Sequence, residues 1–514
     1  MAQSNYTAAA AGGQSVAIAV GRSGGATGAV SVAYATSNGT AVAGTNYTAQ
    51  SGTLSWAAGD ASTKTIAVPL AATTFAGSKS FVVALSNATG GAALGTPSAA
   101  TVAISGTAAS SSSSSSSALS ISVSGNHFID ASGSTVQLRG VNVSGLEFVA
   151  ISGLSPTNPW GNQTGTATPN WSLIRSWGAN AVRLPLNAAS WLGGSCEDVG
   201  GAAVTFVNGK KVQDKAGQII QSDPGGNYQA TVEQSVADAN AAGLYVILDL
   251  HWSAPNDGAT PVCPNEENAM ADADHAVAFW SSVATTFKGN PGVIFELFNE
   301  PFLGDSTLAS SDSNNAWYYI LNGGATETRL AVEGTPGSIS LNWTTTGMQQ
   351  LLNAVRAAGA NNVVLTASDN WSQTMTDWLA YAPIDTAHQL GAAWHPYTAA
   401  AYGYPTQTGC PGLPACSAQE MAAVQAIQTA GYPVVATEYG DVITAQAGNS
   451  SPWASVLLPF ADKAGISYLA WTWDDWPGSE YILITDAAGD PTNGYGTYIK
   501  QHYQCVAAGT KNCP

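Results

Sequence analysis

The sequence predicts an α/β chain, a (β/α)8 or TIM barrel preceded by a small all-β sandwich. Three observations carry that prediction. The run SSSSSSS at 111–117 divides the 514 residues into two parts with different hydrophobic periods. Before it, short segments alternate apolar and small polar residues, the period of half-buried strands. After it, helical segments that end in glycine lead five times into continuous apolar runs, the pattern of strands covered on both faces.

The first part, residues 1–107, contains AVSVAYAT, GTLSWAAG, KTIAVPL and KSFVVALS between Gly- and Asn-containing turns. That spacing fits an immunoglobulin-like sandwich. The succession SVAYATSNGTAVAGTNYTAQSGTLSWAAGDASTKTIAVPL, then FVVALSNATGGAALG, resembles the Calx-beta module over roughly residues 13–107. In that family the calcium-binding members carry acids in their loops. Asn38 and Asn46 stand where Asp is usual, and neutral amides are weak ligands for a hard cation, so calcium binding is not expected. Tyr34, Tyr47 and Trp56 are read as core aromatics rather than as a sugar-stacking platform. Residues 108–118 are Ser- and Ala-rich, have nothing to bury, and read as a flexible tether.

The second part, residues 119–514, repeats one unit in IRSWGANAVRLPL, ANAAGLYVILDL, VRAAGANNVVLTA, IQTAGYPVVATE and ADKAGISYLAWT. Repeated helix-to-strand units imply a parallel sheet. Eight strands are predicted, at 136–144, 180–186, 244–251, 292–300, 361–367, 390–397, 433–439 and 466–473. Connections after the second, third, fourth and sixth are long, whereas helix-to-strand connections are short. The elaborated loops therefore gather on one face, where barrels keep their active sites. An open doubly wound sheet would need a Gly-rich phosphate loop after its first strand, and RGVNVSG lacks that spacing.

Acids outnumber bases 33 to 15, for a net charge of −18. Nucleic acid and anionic membrane surfaces both require basic patches, so neither is expected as a partner. No apolar run approaches the roughly 18 residues of a spanning helix. The start, MAQSNYTAAA, lacks the basic region and apolar core of a signal peptide, and Met1 reads as an added start or the scar of a removed leader. The six cysteines form no CxxC pair. The most local of their fifteen pairings joins Cys410 with Cys416, Cys505 with Cys513, and Cys196 with Cys263. Low charge and paired cysteines suggest a secreted protein. A bacterial origin and a monomer are also expected.

The unusual polar residues cluster at strand ends. Arg183 lies on the second strand, Asp249 and His251 close the third, and Asn299 and Glu300 close the fourth. His395 and Tyr397 close the sixth, Glu438 the seventh, and Trp471 lies on the eighth. Two carboxylates on separate strands with an aromatic floor suit glycosidic bond cleavage, in which one acid protonates the leaving oxygen while the other attacks or activates water. Rings offer apolar faces to sugar C–H surfaces, and short polar side chains read the hydroxyls. A metal hydrolase would want clustered His, yet there are six His and no HxH or HExxH. A serine hydrolase would want GxSxG at a strand-to-helix turn, and none is present.

The pieces RGVNVSGLEF (139–148), VRLPL (182–186), LDLHW (248–252), FELFNEP (295–301), WHPY (394–397), TEYG (437–440) and WTW (471–473) follow one another in the order of a known family. Over roughly 119–505 the chain resembles glycoside hydrolase family 5, the retaining cellulases and mannanases. The resemblance implies that Glu300 is the acid/base and Glu438 the nucleophile, with Tyr397 hydrogen-bonded to it and Arg183 keeping it ionised. It implies that Asn299 binds the sugar 2-hydroxyl, that His251 and His395 bind other hydroxyls or support the acids, and that Trp471 stacks beneath the ring. It also implies that no metal or organic cofactor is needed.

RGVNVSGLEF resembles the cellulase branches, so an endo-acting cellulase on β-1,4-glucan is expected. Mannanase, xyloglucanase and exo-glucanase activities stay open, as does a non-catalytic carbohydrate-binding barrel. Trp317, Tyr318, Tyr319 and Trp343, in the connection 302–346, are either extra glucose subsites or a self-packed loop. Within FELFNEP, strict alternation puts Glu296, Phe298 and Glu300 on one face, with Glu296 roughly 13 Å deeper as a buried supporting acid. Alternation turns Asn299 away from that face unless the strand twists or ends there.

Overall fold

A computed structural model describes residues 1, 3, 5–9, 15–71, 78–105, 119–148, 169–193, 195–197, 205–207, 210–212, 219–221, 223, 226–257, 260–261, 268–303, 315–330, 340–397, 416–441, 453–475, 481–510 and 513–514. The chain forms two compact units, Met1–Ser115 and Ser116–Pro514. The tether expected at 108–118 lies outside the described residues.

In the first unit Asn5–Ala9, Ala99–Ser105, Ser78–Thr89, Val30–Asn38 and Ser51–Trp56 form one sheet, in that spatial order. Ser15–Val20 pairs antiparallel with Lys64–Pro69. Period-two alternation sends Val16, Ile18 and Val20 inward, and with Ile66 and Val68 they meet Val32, Phe81, Val83, Val102 and Ile104 in a single core. Tyr47 and Trp56 belong to that core, and Tyr34 packs partly buried against it. Tyr47 stacks on Phe81 with ring centroids 4.1 Å apart, and the Trp56 Nε1–H donates to the Ser62 carbonyl at 2.6 Å. The amides read against calcium close the turn instead. Asn38 Oδ1 accepts the Ala43 N–H and the Tyr47 hydroxyl, both at 2.8 Å, and Asn46 Oδ1 accepts the Val42 N–H at 2.9 Å.

The second unit is a closed barrel of eight strands. They are β1 (Arg139–Asn142), β2 (Ala181–Asn187), β3 (Tyr245–Trp252), β4 (Val293–Glu296), β5 (Val364–Thr366), β6 (Leu390–Trp394), β7 (Val434–Tyr439) and β8 (Ser467–Ala470). Each falls within one of the predicted runs or within a residue of it, and all pairs are parallel, including β8 back onto β1. The helix-ending glycines read from sequence, Gly178, Gly243, Gly359, Gly431 and Gly465, all have left-handed φ, between 68 and 97°.

Alternation along the strands sorts three layers. Val182, Leu184 and Leu186 of β2 and Val246, Leu248 and Leu250 of β3 point outward to Trp177, Phe279 and Trp280 of the helical layer. Each such side chain contributes about 1.5–3 kcal/mol on burial. The inward positions change along the axis. At the N-terminal end Ala181, Ile247, Ile294, Leu365, Ala393, Val435 and Leu469 pack on Ile121, Phe128 and Leu138, beside the small sheet of Ser122–Ser124, His127–Ile129 and Thr135–Val136. At the C-terminal end the inward positions are polar: Asn142, Arg183, Asp249, His251, Glu296, His395 and Thr437 are all buried.

Two irregularities shape that polar end. β4 leaves the ladder after Glu296, so the predicted strand 292–300 is shorter than the sequence suggests. In β7 the register slips between Ala436 and Tyr439, two residues (Thr437 and Glu438) opposing the single Leu469 of β8, which is a bulge.

After β4 the connection contains a helix, Ala316–Asn322, and a hairpin of Gly323–Leu330 with Ser340–Thr346. Trp317 and Trp343 are buried, and Trp317 stacks on Tyr381 at 6.0 Å, whereas Tyr318 is 41% exposed. Of the two readings open for this connection, the burial of Trp317 and Trp343 favours rings used in packing. The Cys505–Cys513 disulfide is formed, with Cα atoms 5.6 Å apart. Cys263 and Cys410 lie outside the described residues, and for Cys196 and Cys416 only the backbone is described. Among the described residues no helix is long and apolar enough to cross a membrane.

Candidate active site

Arg183 organises the barrel mouth. Fully buried on β2, its Nε donates to Glu296 Oε2 at 2.7 Å and its Nη1 to Glu438 Oε1 at 2.5 Å and Asn142 Oδ1 at 3.0 Å. Its Nη2 donates to Asn299 Oδ1 at 2.7 Å and lies 3.0 Å from Asp249 Oδ2. One guanidinium thus faces three buried carboxyls and cannot compensate them equally. Burial raises Asp249 well above the usual carboxylate range against the pull of Arg183, and the like charges of Glu296 and Glu438 add to the rise. Burial also works against ionised Glu296, but Arg183 and His395 overcome it and hold its pKa below the ordinary value. Glu296 is therefore the hydrogen-bonded supporting acid expected from its depth.

His395 links the upper and lower acids. Its Nδ1 is 2.6 Å from Glu300 Oε1 and its Nε2 is 3.0 Å from Thr437 Oγ1, whose hydroxyl donates to Glu296 Oε1 at 2.8 Å. Burial opposes a charge on the ring, yet Glu438, Glu296 and Glu300 surround it and raise its pKa to about 10. With Nε2 also 3.7 Å from Glu296 Oε1, one imidazole spans the two glutamates of FELFNEP. The carboxyls of Glu296 and Glu300 therefore meet on one ring although the strand itself ends at Glu296.

The two irregularities decide which side chains reach the mouth. Beyond Glu296, Leu297 and Phe298 both join the helix-side core, which breaks the alternation and lets Asn299 and Glu300 both serve the site. The Asn299 N–H donates to the Leu250 carbonyl at 3.1 Å, and the Ser372 hydroxyl donates to the Asn299 carbonyl at 2.9 Å. The β7 bulge lets two consecutive residues, Thr437 and Glu438, both contact the interior network, while Tyr439 turns to the outer core. A bulge beside an active site commonly re-aims a side chain in this way.

Glu438 receives a second donor, the Tyr397 hydroxyl at 3.0 Å from Oε2. Glu300, His395 and Glu438 have one N or O atom each, all within 4.8 Å of one another. That trio has metal-ligand chemistry by type, but a ring with pKa near 10 that contacts Glu300 and Thr437 has no spare lone pair for an ion. His251 Nδ1 is 2.8 Å from Asp249 Oδ2, and its ring lies parallel to Trp471 with centroids 5.7 Å apart. Burial, with Arg183 and His395 nearby, lowers the His251 pKa to about 4, so it is neutral.

Every residue predicted for the site is therefore brought to one end of the barrel. Sequence reasoning missed Asn142, Thr437 and Ser372. Asn142 and Thr437 could have been found by their positions, at the end of RGVN and next to Glu438. Ser372 carried no signal: it follows Asn370 and Trp371 in a run of three left-handed residues, none of them glycine.

Residues 129–476 match the cellulase family, glycosyl hydrolase family 5, and the chain belongs to it. Residues 2–107 match the Calx-beta domain. Endoglucanase A of Butyrivibrio fibrisolvens is 29% identical over 187 residues, which are 36% of this chain and 33% of that protein. An endoglucanase of Halalkalibacter akibai is 25% identical over 353 residues, 67% of this chain and 34% of that protein. The chain thus spans about a third of the length of these curated relatives. A beta-glucanase of Saccharophagus degradans, solved with cellotetraose, aligns with a TM-score of 0.47 at 22% identity, covering 76% of this chain and 94% of that one.

Proposed function

We propose that the protein is a retaining endo-β-1,4-glucanase in which Glu438 is the nucleophile and Glu300 the acid/base. The observation that carries this reading is the approach of oxygens of Glu300 and Glu438 to within 4.8 Å. Retaining enzymes hold their carboxyls about 5–5.5 Å apart, whereas inverting ones need about 6.5–9.5 Å to admit water.

The partners divide the roles. Glu438 accepts from a permanent cation and a hydroxyl, one on each oxygen, which favours a fixed carboxylate aimed at the anomeric carbon. Glu300 has the His395 Nδ1 at 2.6 Å as its partner, which leaves to it the proton transfers, one given to the leaving oxygen in the first step and one taken from water in the second. Glu438 attacks the anomeric carbon as Glu300 protonates the departing oxygen, and water activated by Glu300 then releases the covalent sugar. Asn299 is oriented by Arg183 to bind the 2-hydroxyl, and Trp471 with His251 forms the floor and wall.

The endoglucanase names of the relatives support β-1,4-glucan as substrate. The Cys505–Cys513 disulfide supports secretion. Residues 1–107 are proposed as a separate module and 119–514 as the catalytic domain. The test is reducing-sugar release from carboxymethylcellulose, mannan, xylan and xyloglucan by wild type, Glu300→Gln and Glu438→Gln. Both variants should be inactive while still binding substrate. Full hydrolysis by either would refute the assignment, and preference for mannan would refute the substrate.

A further inference from the structure

Beyond β8 the chain passes the barrel mouth at Tyr481. Its φ is 69°, a left-handed conformation that a bulky aromatic rarely adopts. The conformation is pinned, since the Tyr481 carbonyl accepts the Thr472 N–H at 2.8 Å. Backbone strain of this kind persists where the surrounding structure over-determines it, and it clusters at functional sites.

The strained backbone delivers the ring to a specific place. It lies edge-on to Tyr397, with centroids 5.8 Å apart and planes at 77°. Both rings close on Gly440, where an added Cβ would lie 2.7 Å from Tyr481 Cδ1 and 3.0 Å from Tyr397 Cε1. Gly440 is two residues past Glu438, and Tyr397 is the residue whose hydroxyl holds Glu438 Oε2. Glycine at 481 would relieve the strain, yet the position carries a tyrosine.

We propose that Tyr481 is a positioning residue: wedged against Gly440, its ring fixes Tyr397 so that the Tyr397 hydroxyl stays on the nucleophile. The proposal rests on the assignment of Glu438 as nucleophile. An aromatic ring has only two side-chain torsions, and a second ring packed on its face or edge leaves little freedom in either. Removing Tyr481 opens one side of Tyr397 and lets the hydroxyl leave the carboxylate for water.

The experiment uses the full chain and an activated 2-deoxy-2-fluoro-cellobioside, which reads covalent-intermediate formation at Glu438. Tyr481→Gly should melt at or above the wild-type temperature, because strain is released, yet be labelled about tenfold more slowly with little change in KM. Tyr481→Phe should restore the labelling rate, since the ring and not the hydroxyl is the wedge. In a Tyr397→Phe background, Tyr481→Gly should cost nothing further. Wild-type labelling rates in Tyr481→Gly would overturn the proposal. So would a loss accompanied by a lower melting temperature and no rescue by Phe, which marks a merely structural residue. Failure of the wild type to be labelled, or a label away from Glu438, would overturn the nucleophile assignment and this proposal with it.

Discussion

The Nδ1 of His395 lies 2.6 Å from Oε1 of Glu300, and the ring's pKa is near 10 rather than its ordinary 6.5. A folded-state pKa raised above the unfolded value contributes stability that is fully present below pH 6.5 and is lost as pH rises through about 10. The free-energy difference between wild type and His395→Asn should therefore shrink across that window, by up to about 1.4 kcal/mol per pH unit. Urea titrations at a series of pH values measure it. A difference independent of pH would show that the ring is not charged in the folded protein.

Arg183 is the cation against three buried carboxyls, so its removal leaves uncompensated charge in the barrel. Arg183→Ala should lose about 3–5 kcal/mol of stability as well as activity. Arg183→Lys should recover only part of both, because an ammonium cannot reproduce the fork that reaches Glu296, Asn299 and Glu438 together. Denaturant midpoints decide the matter, and an unchanged midpoint in the Ala variant would contradict it.

The Tyr397 hydroxyl donates to Glu438 Oε2 from a partly exposed side chain. Tyr397→Phe should leave melting nearly unchanged and lower kcat on the order of ten- to a hundredfold, the worth of a hydrogen bond to a charged group. A kcat within a factor of two of wild type would mean that Arg183 alone suffices.

In the first unit the amide oxygens of Asn38 and Asn46 already close the turn with backbone and hydroxyl donors. Neither EGTA nor millimolar calcium should move that unit's melting transition. An upward shift with calcium would reveal binding to the folded state.

Much of this molecule was legible before its coordinates. Continuous apolar runs after helix-ending glycines located five of the eight strands, since burial on both faces leaves little choice of residue. The site residues were legible because polar side chains at inward strand ends have no role in packing. Interruptions of the ladder were not legible. Nothing in VVATEYG marks a bulge, and a slip of one residue exchanges the faces of everything beyond it. Likewise FELFNEP reads as strand to its end, although Phe298 joins the helix-side core and breaks the count. The contact between Tyr481 and Tyr397 joins positions 84 apart in the sequence, a neighbourhood that only the closed barrel creates.

The termination of β4 has a consequence for how such a catalyst can change. Glu296 is keyed to the ladder opposite Asp249 and Leu365, whereas Glu300 hangs from a short turn secured by Leu250, Ser372 and His395. Residues 297–300 are thus an adjustable bracket mounted on a fixed frame. Re-angling the proton donor for a different leaving group requires changes in the bracket alone, and the frame's register and charge pairing can be inherited intact.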